Sequence, residues 1–291
     1  MKTNDPPPVN EERWPALDEA RLSAALASAP GLWREVRVVE ETGSTNADLL
    51  AEARSGTRDG LVLVAEAQTA GRGRLGRRWV SPPRGTLTFS VLLRPAGVPA
   101  RLLGWLPLLA GVAAASALAR TAGVGARLKW PNDVVADGAK LAGILAERWG
   151  EAIVLGIGIN VFQRRDELPV PTATSLLLAA PHAAAGADGP YVRERLLTAV
   201  LDELARWYRA WLDQPRPGDA DDCGLRAEYL RRSDTVGAEV TVMLPGGQNL
   251  AGTATGVDPA GRLEVRTPGG LVRVNAGDVV HLRRADTPAR R

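Results

Sequence analysis

The chain has 291 residues, and its 36 Lys and Arg side chains nearly balance its 33 Asp and Glu side chains, which leaves a formal net charge of +3. This balance argues against a general nucleic-acid coat protein, which needs a broad positive surface. One cysteine and two histidines exclude an intrachain disulfide and a thiolate metal cage, and they argue against a histidine-based catalytic triad. There is no signal-peptide pattern and no apolar run of about 20 residues free of charge or proline, so we expect a cytoplasmic protein without membrane contact.

Hydrophobic periodicity predicts a mixture of helices and strands through residue 212. Thr45 and Asp48 have the spacing of a capping box at the start of one helix. Residues 179–190 are predicted to be an alanine-rich loop. In chain order, the predicted elements are a helix over 17–29, a strand over 36–39, a helix between Thr45 and Gly56, strands over 61–65 and 86–93, a helix over 106–122, strands over 127–130, 134–136, 140–148 and 152–161, and a helix over 191–212.

The pattern changes after residue 232, where short strands alternate with Gly- and Pro-rich turns at nearly regular spacing. This pattern predicts a small β-barrel. Its strands are predicted over 240–244, 250–257, 263–267, 272–275 and 279–282. We therefore divide the chain into an N-terminal extension over 1–36 with one short helix, a main domain over 37–232, the barrel over 233–283 and a disordered tail over 284–291.

Residues 71–79 read Gly-Arg-Gly-Arg-Leu-Gly-Arg-Arg-Trp, which places four arginines in a segment too rich in glycine for a helix or a strand. Guanidinium groups together with bare backbone N–H groups suit a polyanion such as a nucleotide triphosphate. Trp79 ends this arginine segment with a flat ring on which a purine could stack. The alternative interpretations are a solvated basic loop and a nucleic-acid contact.

Three further clusters have both a structural and a chemical interpretation. Gly-Ser-Thr-Asn at 43–46 is typical of a turn and helix cap, but its hydroxyl and amide groups could also bind a neutral polar ring. The second cluster combines Lys-Trp-Pro-Asn-Asp at 129–133, which could simply end a strand in an Asx turn, with the apolar run that Lys140 opens. Lys140 could be an ordinary strand-end charge, or it could bind a carboxylate and stabilise charge on a phosphate. Gly-Ile-Gly-Ile-Asn at 156–160 places two glycines inside a strand, where glycine often marks the close approach of a ligand.

Together and in this order, these motifs resemble those of the bacterial biotin protein ligases, the biotin–[acetyl-CoA-carboxylase] ligases, over residues 37–282; Gln68 before the arginine segment and Lys-Leu-Ala-Gly-Ile-Leu at 140–145 complete the pattern. The resemblance implies an α+β fold, a class II synthetase-like and lipoate ligase-like mixed sheet with helices, followed by a small SH3-like β-barrel. It also implies that ATP and biotin, with Mg²⁺, form biotinyl-5′-AMP and pyrophosphate. A lysine of a biotin carboxyl carrier protein then attacks this adenylate, which yields biotinyl-lysine and AMP.

The resemblance implies catalytic roles for Arg72 and Lys140, with Lys140 bridging the biotin carboxylate and the phosphate. The residues that it implies for biotin are Ser44, Thr45, Asn46, Gln68, Gly71, Arg72, Gly73, Arg74, Lys140, Gly143, Gly156 and Gly158. The residues that it implies for ATP and the adenylate are Arg74, Arg77, Trp79, Asn132, Lys140 and Asn160. It assigns no metal ligands. Because an adenylate hydrolyses in water, the arginine segment is also expected to act as a lid.

The chain departs in one respect from the best-known members of the family, which carry an N-terminal winged helix-turn-helix and repress transcription. The residues before the first predicted core strand hold one short helix and several prolines, so we expect a monofunctional ligase that binds no specific DNA. Two rival interpretations stay open: a lipoate–protein ligase or octanoyltransferase of the same fold, and a nucleic-acid-binding module. The aromatic content of 4% disfavours the second rival. A weak homodimer through exposed sheet edges is compatible with the resemblance.

Overall fold

The computed structural model describes residues 14–27, 31–80, 82–185, 191–244, 247–275 and 277–281. The predicted disordered tail and the first 13 residues of the N-terminal extension lie outside these ranges. The helices in the described part are α1 (Glu19–Ala27), α2 (Thr45–Arg54), α3 (Trp105–Ala122), α4 (Leu176–Ala179), α5 (Pro181–Ala185), α6 (Val192–Leu212) and α7 (Leu225–Arg232). The strands are β1 (Glu35–Thr42), β2 (Leu61–Gln68), β3 (Thr86–Leu93), β4 (Arg127–Lys129), β5 (Asp133–Ala136), β6 (Ala139–Trp149), β7 (Ala152–Asn160), β8 (Glu239–Met243), β9 (Asn249–Val257), β10 (Leu263–Thr267), β11 (Gly270–Val274) and β12 (Asp278–His281).

The first seven strands form one mixed sheet in the order β1-β2-β3-β7-β6-β5-β4. β1 and β2 run parallel, and the remaining neighbours run antiparallel. Because successive side chains of a strand point to opposite faces, β2 contributes to two separate cores. Val62 and Val64 pack in the large core with α3 and α6, whereas Leu61 and Leu63 pack in a small core with α2 on the other face. This mixed sheet with helices confirms the predicted fold class.

The alanine-rich helix α3 lies in the middle of the large core, packed against α6. It ends at Gly123, whose left-handed φ of 67° lets its N–H donate to Ala119 O at 3.1 Å. The segment Ala100–Ala122 has the length and apolar composition of a membrane-spanning helix, but 67% of that window is buried inside the fold. Its apolar surface is therefore used for packing in this structure.

The last five strands form an antiparallel sheet in the order β11-β10-β9-β8-β12. This arrangement confirms the expected SH3-like unit in the number and direction of its strands. The edge strands β11 and β12 are not paired with each other in the described residues, so the expected closed barrel is an open sheet by hydrogen bonding.

A buried ion pair fastens the segment that precedes α1 to the main sheet. Arg193 on α6 and Glu66 on β2 are 1% and 2% exposed and contact each other directly. Glu66 Oε1 accepts a hydrogen bond from Leu17 N at 2.6 Å, and Arg193 Nη2 donates to Pro15 O at 2.6 Å. Part of the predicted extension is therefore integral to the main fold.

Two local predictions are wrong, and the sequence pattern shows neither α4 nor α7. Ser44, not Thr45, is the N-cap residue of α2, and it makes no side-chain cap hydrogen bond; Asp48 instead accepts a hydrogen bond from Thr42 Oγ1 at 2.5 Å. The loop predicted over 179–190 contains the last residue of α4 and all of α5, and its residues 186–190 lie outside the described ranges. The sequence pattern misses α7, because its eight residues bury too few side chains to show a helical period.

Candidate active site

The candidate site lies on the α2 face of the main sheet, where three adjacent strands place small residues side by side. Strand pairing arranges β3, β7 and β6 so that two cross-strand rows contain a glycine of β7 at their centre. The two rows are Thr88–Gly158–Gly143 and Ser90–Gly156–Leu145. Because glycine has no side chain, the rows form a trough along β7. The Gly-x-Gly motif therefore shapes the surface on which the other motifs meet.

A hydrogen-bond network joins the Gly-Ser-Thr-Asn motif to Gln68 at one end of the trough. Gln68 Oε1 accepts from Thr45 N at 2.8 Å, and the buried hydroxyl of Ser90 lies 2.7 Å from Thr45 Oγ1 and 2.6 Å from Asn46 Oδ1. Asn46 Nδ2 donates to Glu147 Oε2 at 2.8 Å. Sequence reasoning misses Ser90 and Glu147. The sequence could have pointed to Ser90, because it is a polar residue within a predicted apolar strand. Nothing in the sequence points to Glu147.

Several of the predicted biotin-binding residues also have a structural role. A Cβ atom at Gly156 would lie 2.2 Å from Asn46 Oδ1, so this glycine makes room for the asparagine. A Cβ atom at Gly71 would lie 2.8 Å from Gln68 Nε2. Ser44 is buried and accepts the Asp48 N–H at 3.0 Å through its backbone carbonyl. The first turn of α2 and the end of β2 are therefore closely fitted to β7.

The arginine segment forms a short hairpin next to the trough. Its ends are joined by a hydrogen bond from Trp79 N to Gly71 O at 2.9 Å. Its tip carries Leu75 and Gly76 with φ values of 54° and 74°, the left-handed pair that a type I′ turn requires. Leu75 is 62% exposed, so the tip reaches into solvent.

The cations of the hairpin point in different directions. Arg72, Arg77 and Arg78 are exposed, and Arg78 Nη2 donates to Thr69 O at 3.4 Å. Arg74 is half-buried, and its Nη2 lies 3.5 Å from Gly277 O, next to β12 of the C-terminal sheet. The segment therefore contacts both sheets of the protein.

The Trp79 indole lies across the row of the trough that contains Gly158 and Gly143. A Cβ atom at Gly158 would lie 2.5 Å from Trp79 Cζ2, and one at Gly143 would lie 3.1 Å from Trp79 Cζ3. The indole Nε1 is buried and has no hydrogen-bond partner among the described residues. In this structure the space above Gly143 and Gly158, which we expected to admit biotin, thus holds the indole.

Lys140 approaches the trough from the start of β6. Its Nζ lies 2.6 Å from Asp133 Oδ1, and the two side chains are 34% and 22% exposed. Its backbone is fixed on both sides, since Lys140 N donates to Thr172 O and Thr174 N donates to Lys140 O, each at 2.8 Å. A Cβ atom at Gly143 would lie 3.2 Å from Lys140 Nζ, which places the ammonium group at the edge of the trough. A half-exposed cation with one carboxylate partner can exchange that partner for an anionic ligand.

The two predicted nucleotide-binding asparagines differ in their surroundings. Asn132 is half-buried and donates through Nδ2 to Ile144 O at 2.9 Å. Asn160 is 4% exposed; its Nδ2 donates to Thr174 O at 2.9 Å, and its Oδ1 accepts from Gln163 Nε2 at 3.1 Å. A direct contact between Asn160 and a nucleotide would require these bonds to break, so that role stays a prediction.

Two adjoining cavities provide space for ligands. One of about 660 Å³ lies beneath the hairpin, with Glu147 on its opposite wall. The other, of about 540 Å³, shares Arg74 and Leu145 with the first and extends past Asn132. No cluster of three or more metal-ligating side chains occurs in the part of the chain that the structure describes.

Comparisons with known proteins agree with this arrangement. Residues 38–162 match the biotin/lipoate A/B protein ligase family, and residues 235–282 match the biotin protein ligase C-terminal domain. The chain is 46% identical to the biotin–[acetyl-CoA-carboxylase] ligase of Mycobacterium tuberculosis over 276 residues, which cover 92% of this chain and 97% of that protein. It is 36% identical to the protein of the same name from Paracoccus denitrificans, over 83% of this chain and 98% of that one.

A solved structure extends the comparison to the fold. The biotin protein ligase from Aquifex aeolicus in complex with biotin and ATP matches with a TM-score of 0.67 and 27% identity, over 87% of this chain and 100% of that one. The two family matches, over residues 38–162 and 235–282, contain the motifs at 43–46, 71–79, 129–133, 140–145 and 156–160. The chain therefore belongs to the biotin protein ligase family.

Proposed function

We propose that this chain is an ATP-dependent biotin–protein ligase whose acceptor is the biotin carboxyl carrier protein of an acetyl-CoA or acyl-CoA carboxylase. The observation that carries the proposal is a continuous set of contacts that joins the motifs around one trough. These contacts are Gln68–Thr45, Asn46–Gly156, Trp79–Gly158, Trp79–Gly143, Lys140–Gly143 and Asn132–Ile144. Motifs that lie far apart in the sequence therefore serve one site.

The first step joins two anions, so both need a cation close by. An oxygen of the biotin carboxylate attacks the α-phosphorus of ATP, the bond from that phosphorus to the bridging oxygen breaks, and pyrophosphate leaves. Lys140 can exchange Asp133 for these oxygens because both side chains are partly exposed. Arg72 and Arg74 supply guanidinium forks that match carboxylate and phosphate oxygens. A carboxylate is already a nucleophile, so this step needs no general base.

The polar ring of biotin fits the network at the Gln68 end of the trough. Thr45, Asn46 and Ser90 there offer hydroxyl and amide groups in fixed positions. A close approach of the ring to Gly143 and Gly158 requires the Trp79 indole to move, and the glycines of the hairpin provide the backbone freedom for that motion. The hairpin then covers the adenylate and limits its hydrolysis.

The second step needs access for a protein. The ε-amine of the carrier lysine attacks the acyl carbon of the adenylate, the bond to the AMP oxygen breaks, AMP leaves, and the amine loses a proton to solvent. We place this reaction in the cytoplasm, in the domain over 37–232, with neither specific DNA nor a membrane as a partner.

Mg²⁺ fits this site as a companion of the triphosphate. Mg²⁺ in such sites is held by one or two carboxylates together with substrate phosphates, and it neutralises phosphate charge. Asp133 beside Lys140 is the carboxylate at the trough edge that would hold it. The chain's own cations still carry the contacts to the biotin carboxylate.

Transfer of labelled biotin to a carrier domain, with ATP and Mg²⁺, tests the proposal. We expect label on the carrier lysine and biotin-dependent exchange of pyrophosphate into ATP. A parallel pyrophosphate-exchange assay uses lipoate in place of biotin. Exchange that occurs with lipoate but not with biotin would show that the chain is a lipoate–protein ligase. Calorimetry that detects no binding of biotin, even beside a non-hydrolysable ATP analogue, would also refute the proposal.

A further inference from the structure

The cavity of about 540 Å³ extends beyond the trough to the junction between the two sheets. Arginines from three separate elements line it: Arg74 of the hairpin, Arg101 before α3, and Arg262 at the end of the β9–β10 turn. It continues into a third cavity of about 630 Å³, which shares Arg101 and Arg262 with it. Several guanidinium groups around one cavity favour a ligand with more than one negative charge.

The β9–β10 turn that carries Arg262 is held in place by two buried tryptophans. Trp105 Nε1 donates to Pro259 O at 2.8 Å, and Trp130 Nε1 donates to Gly261 O at 3.2 Å. The indoles are 0% and 2% exposed, so these bonds are shielded from water. The turn is therefore a rigid part of the cavity wall.

Asp258 fixes the direction of the Arg262 side chain. Its Oδ2 accepts from Arg262 Nε at 2.6 Å, and its Oδ1 accepts from Arg262 N at 3.0 Å. Burial acts to raise the pKa of Asp258, but the hydrogen bonds from Arg262 and Ala260 outweigh it and hold that pKa below its usual value, so the carboxylate stays ionised. Nε and Nη2 of Arg262 contact Asp258, which leaves Nη1 without a partner among the described residues.

The opposite wall carries Arg101, in the turn Ala100–Leu102 directly before α3. Its exposed guanidinium makes no hydrogen bond or ion pair with a residue that the structure describes. The cavity also reaches Gly104 and Pro107 in the first turn of the 18-residue helix α3. The positive end of the helix dipole therefore adds to the field of the arginines.

We propose that Arg101 and Arg262 bind the β- and γ-phosphates of ATP and then the pyrophosphate that leaves. This inference rests on the proposed ligase function. Arg74 lines the same cavity and connects this phosphate site to the trough. The C-terminal sheet thereby contributes Arg262 to the first step.

Calorimetry of the full chain with inorganic pyrophosphate tests this site without reference to activity. We expect Arg101→Ala and Arg262→Ala each to weaken pyrophosphate binding about 10- to 100-fold, the loss of a charge-assisted hydrogen-bonded contact. The affinity for α,β-methylene-ATP should fall similarly, whereas that for AMP should not change. Arg266→Ala is the matched control, because it removes an exposed arginine from β10. Arg262→Lys keeps the partner of Asp258 and should restore part of the affinity.

Three results would overturn the phosphate site: no pyrophosphate binding by the wild-type chain, unchanged affinity in both alanine variants, or an equal loss in Arg266→Ala. An active ligase with any of these results refutes this inference alone. A chain that binds pyrophosphate through both arginines but forms no adenylate with biotin refutes the proposed function and keeps the site.

Discussion

The hairpin arginines and Arg193 carry the same charge but are used in opposite ways. Arg72 and Arg77 are exposed next to a cavity, whereas Arg193 is 1% exposed and contacts Glu66, Thr86 O and Pro15 O. A buried cation needs a fixed carboxylate and cannot leave it without a large cost, while an exposed one can take a ligand. Burial and partners, not residue type, separate a structural arginine from a binding one.

Replacement of Arg193 gives the largest expected effect. Arg193→Ala leaves the Glu66 carboxylate buried without a partner, which should lower the free energy of unfolding by about 3–5 kcal/mol. Urea denaturation measures this loss. Arg72→Ala is the contrasting variant: it should change that free energy by less than about 0.5 kcal/mol while weakening retention of biotin and the adenylate. A small stability loss in Arg193→Ala, or a large one in Arg72→Ala, would contradict the comparison.

Lys140 belongs with the hairpin cations, since its ion pair is partly exposed. Lys140→Ala should slow formation of the adenylate about 10²- to 10³-fold, because it removes the cation that we propose for stabilising the reacting oxygens. Pyrophosphate exchange measures the rate, and thermal unfolding checks that the fold is intact. The control Arg148→Ala removes an exposed charge from the same strand and should keep the wild-type rate. Near wild-type exchange in Lys140→Ala would show that our assignment is wrong.

The contact between Trp79 and β7 tests how firmly the hairpin is held. Gly158→Ala places a methyl group 2.5 Å from the indole, so Trp79 should lift and the hairpin should open. An overpacked site of this kind costs about 1–3 kcal/mol. We expect trypsin to cleave the hairpin several-fold faster in this variant than in Gly125→Ala, where the added Cβ atom meets open space. Equal cleavage rates would mean that the indole does not anchor the segment.

Partly exposed ion pairs in a helix give the smallest expected effect. Hydrogen bonds from Arg231, and then Arg232, outweigh burial and lower the pKa of Glu228 on α7 to about 2, against an ordinary value of 4.5. Because the pKa is lower in the folded state, this stabilisation is complete above pH 4.5 and disappears as the pH falls towards 2. Glu228→Gln should lower the free energy of unfolding by about 0.5–1 kcal/mol at pH 7. The free energies of unfolding of the wild-type and Glu228→Gln proteins should become equal near pH 2. A difference that stays constant with pH would refute the lowered pKa of Glu228.

Much of the main sheet could be predicted because its strands are continuous apolar runs with clear ends. The strand predicted over 86–93 is β3 with both ends unchanged, and Gly123 ends α3 where the apolar pattern stops. The order of the motifs alone placed the chain near the biotin protein ligases. These features are local, since propensity, periodicity and turn chemistry act over a few neighbouring residues.

Other features depend on residues that only the folded chain brings together. Thr45 N bonds to Gln68 from β2, 23 residues away, so a helix cap judged from the local sequence was wrong. Glu147 meets Asn46 across 101 residues, and no spacing rule connects them. The glycines at 156 and 158 make room for Asn46 and Trp79. The sequence indicated only that some group approaches the backbone closely at these two positions.

The sequence by itself thus determined the strands of both sheets, the longer helices, the motifs and the family, because each depends on local pattern. The tertiary structure decided which arginine is buried, which glycine faces which side chain, and that Arg262 reaches the junction of the two sheets. The physical reason is that burial and cross-strand contact are properties of strand register and packing, which residues distant in the chain set together.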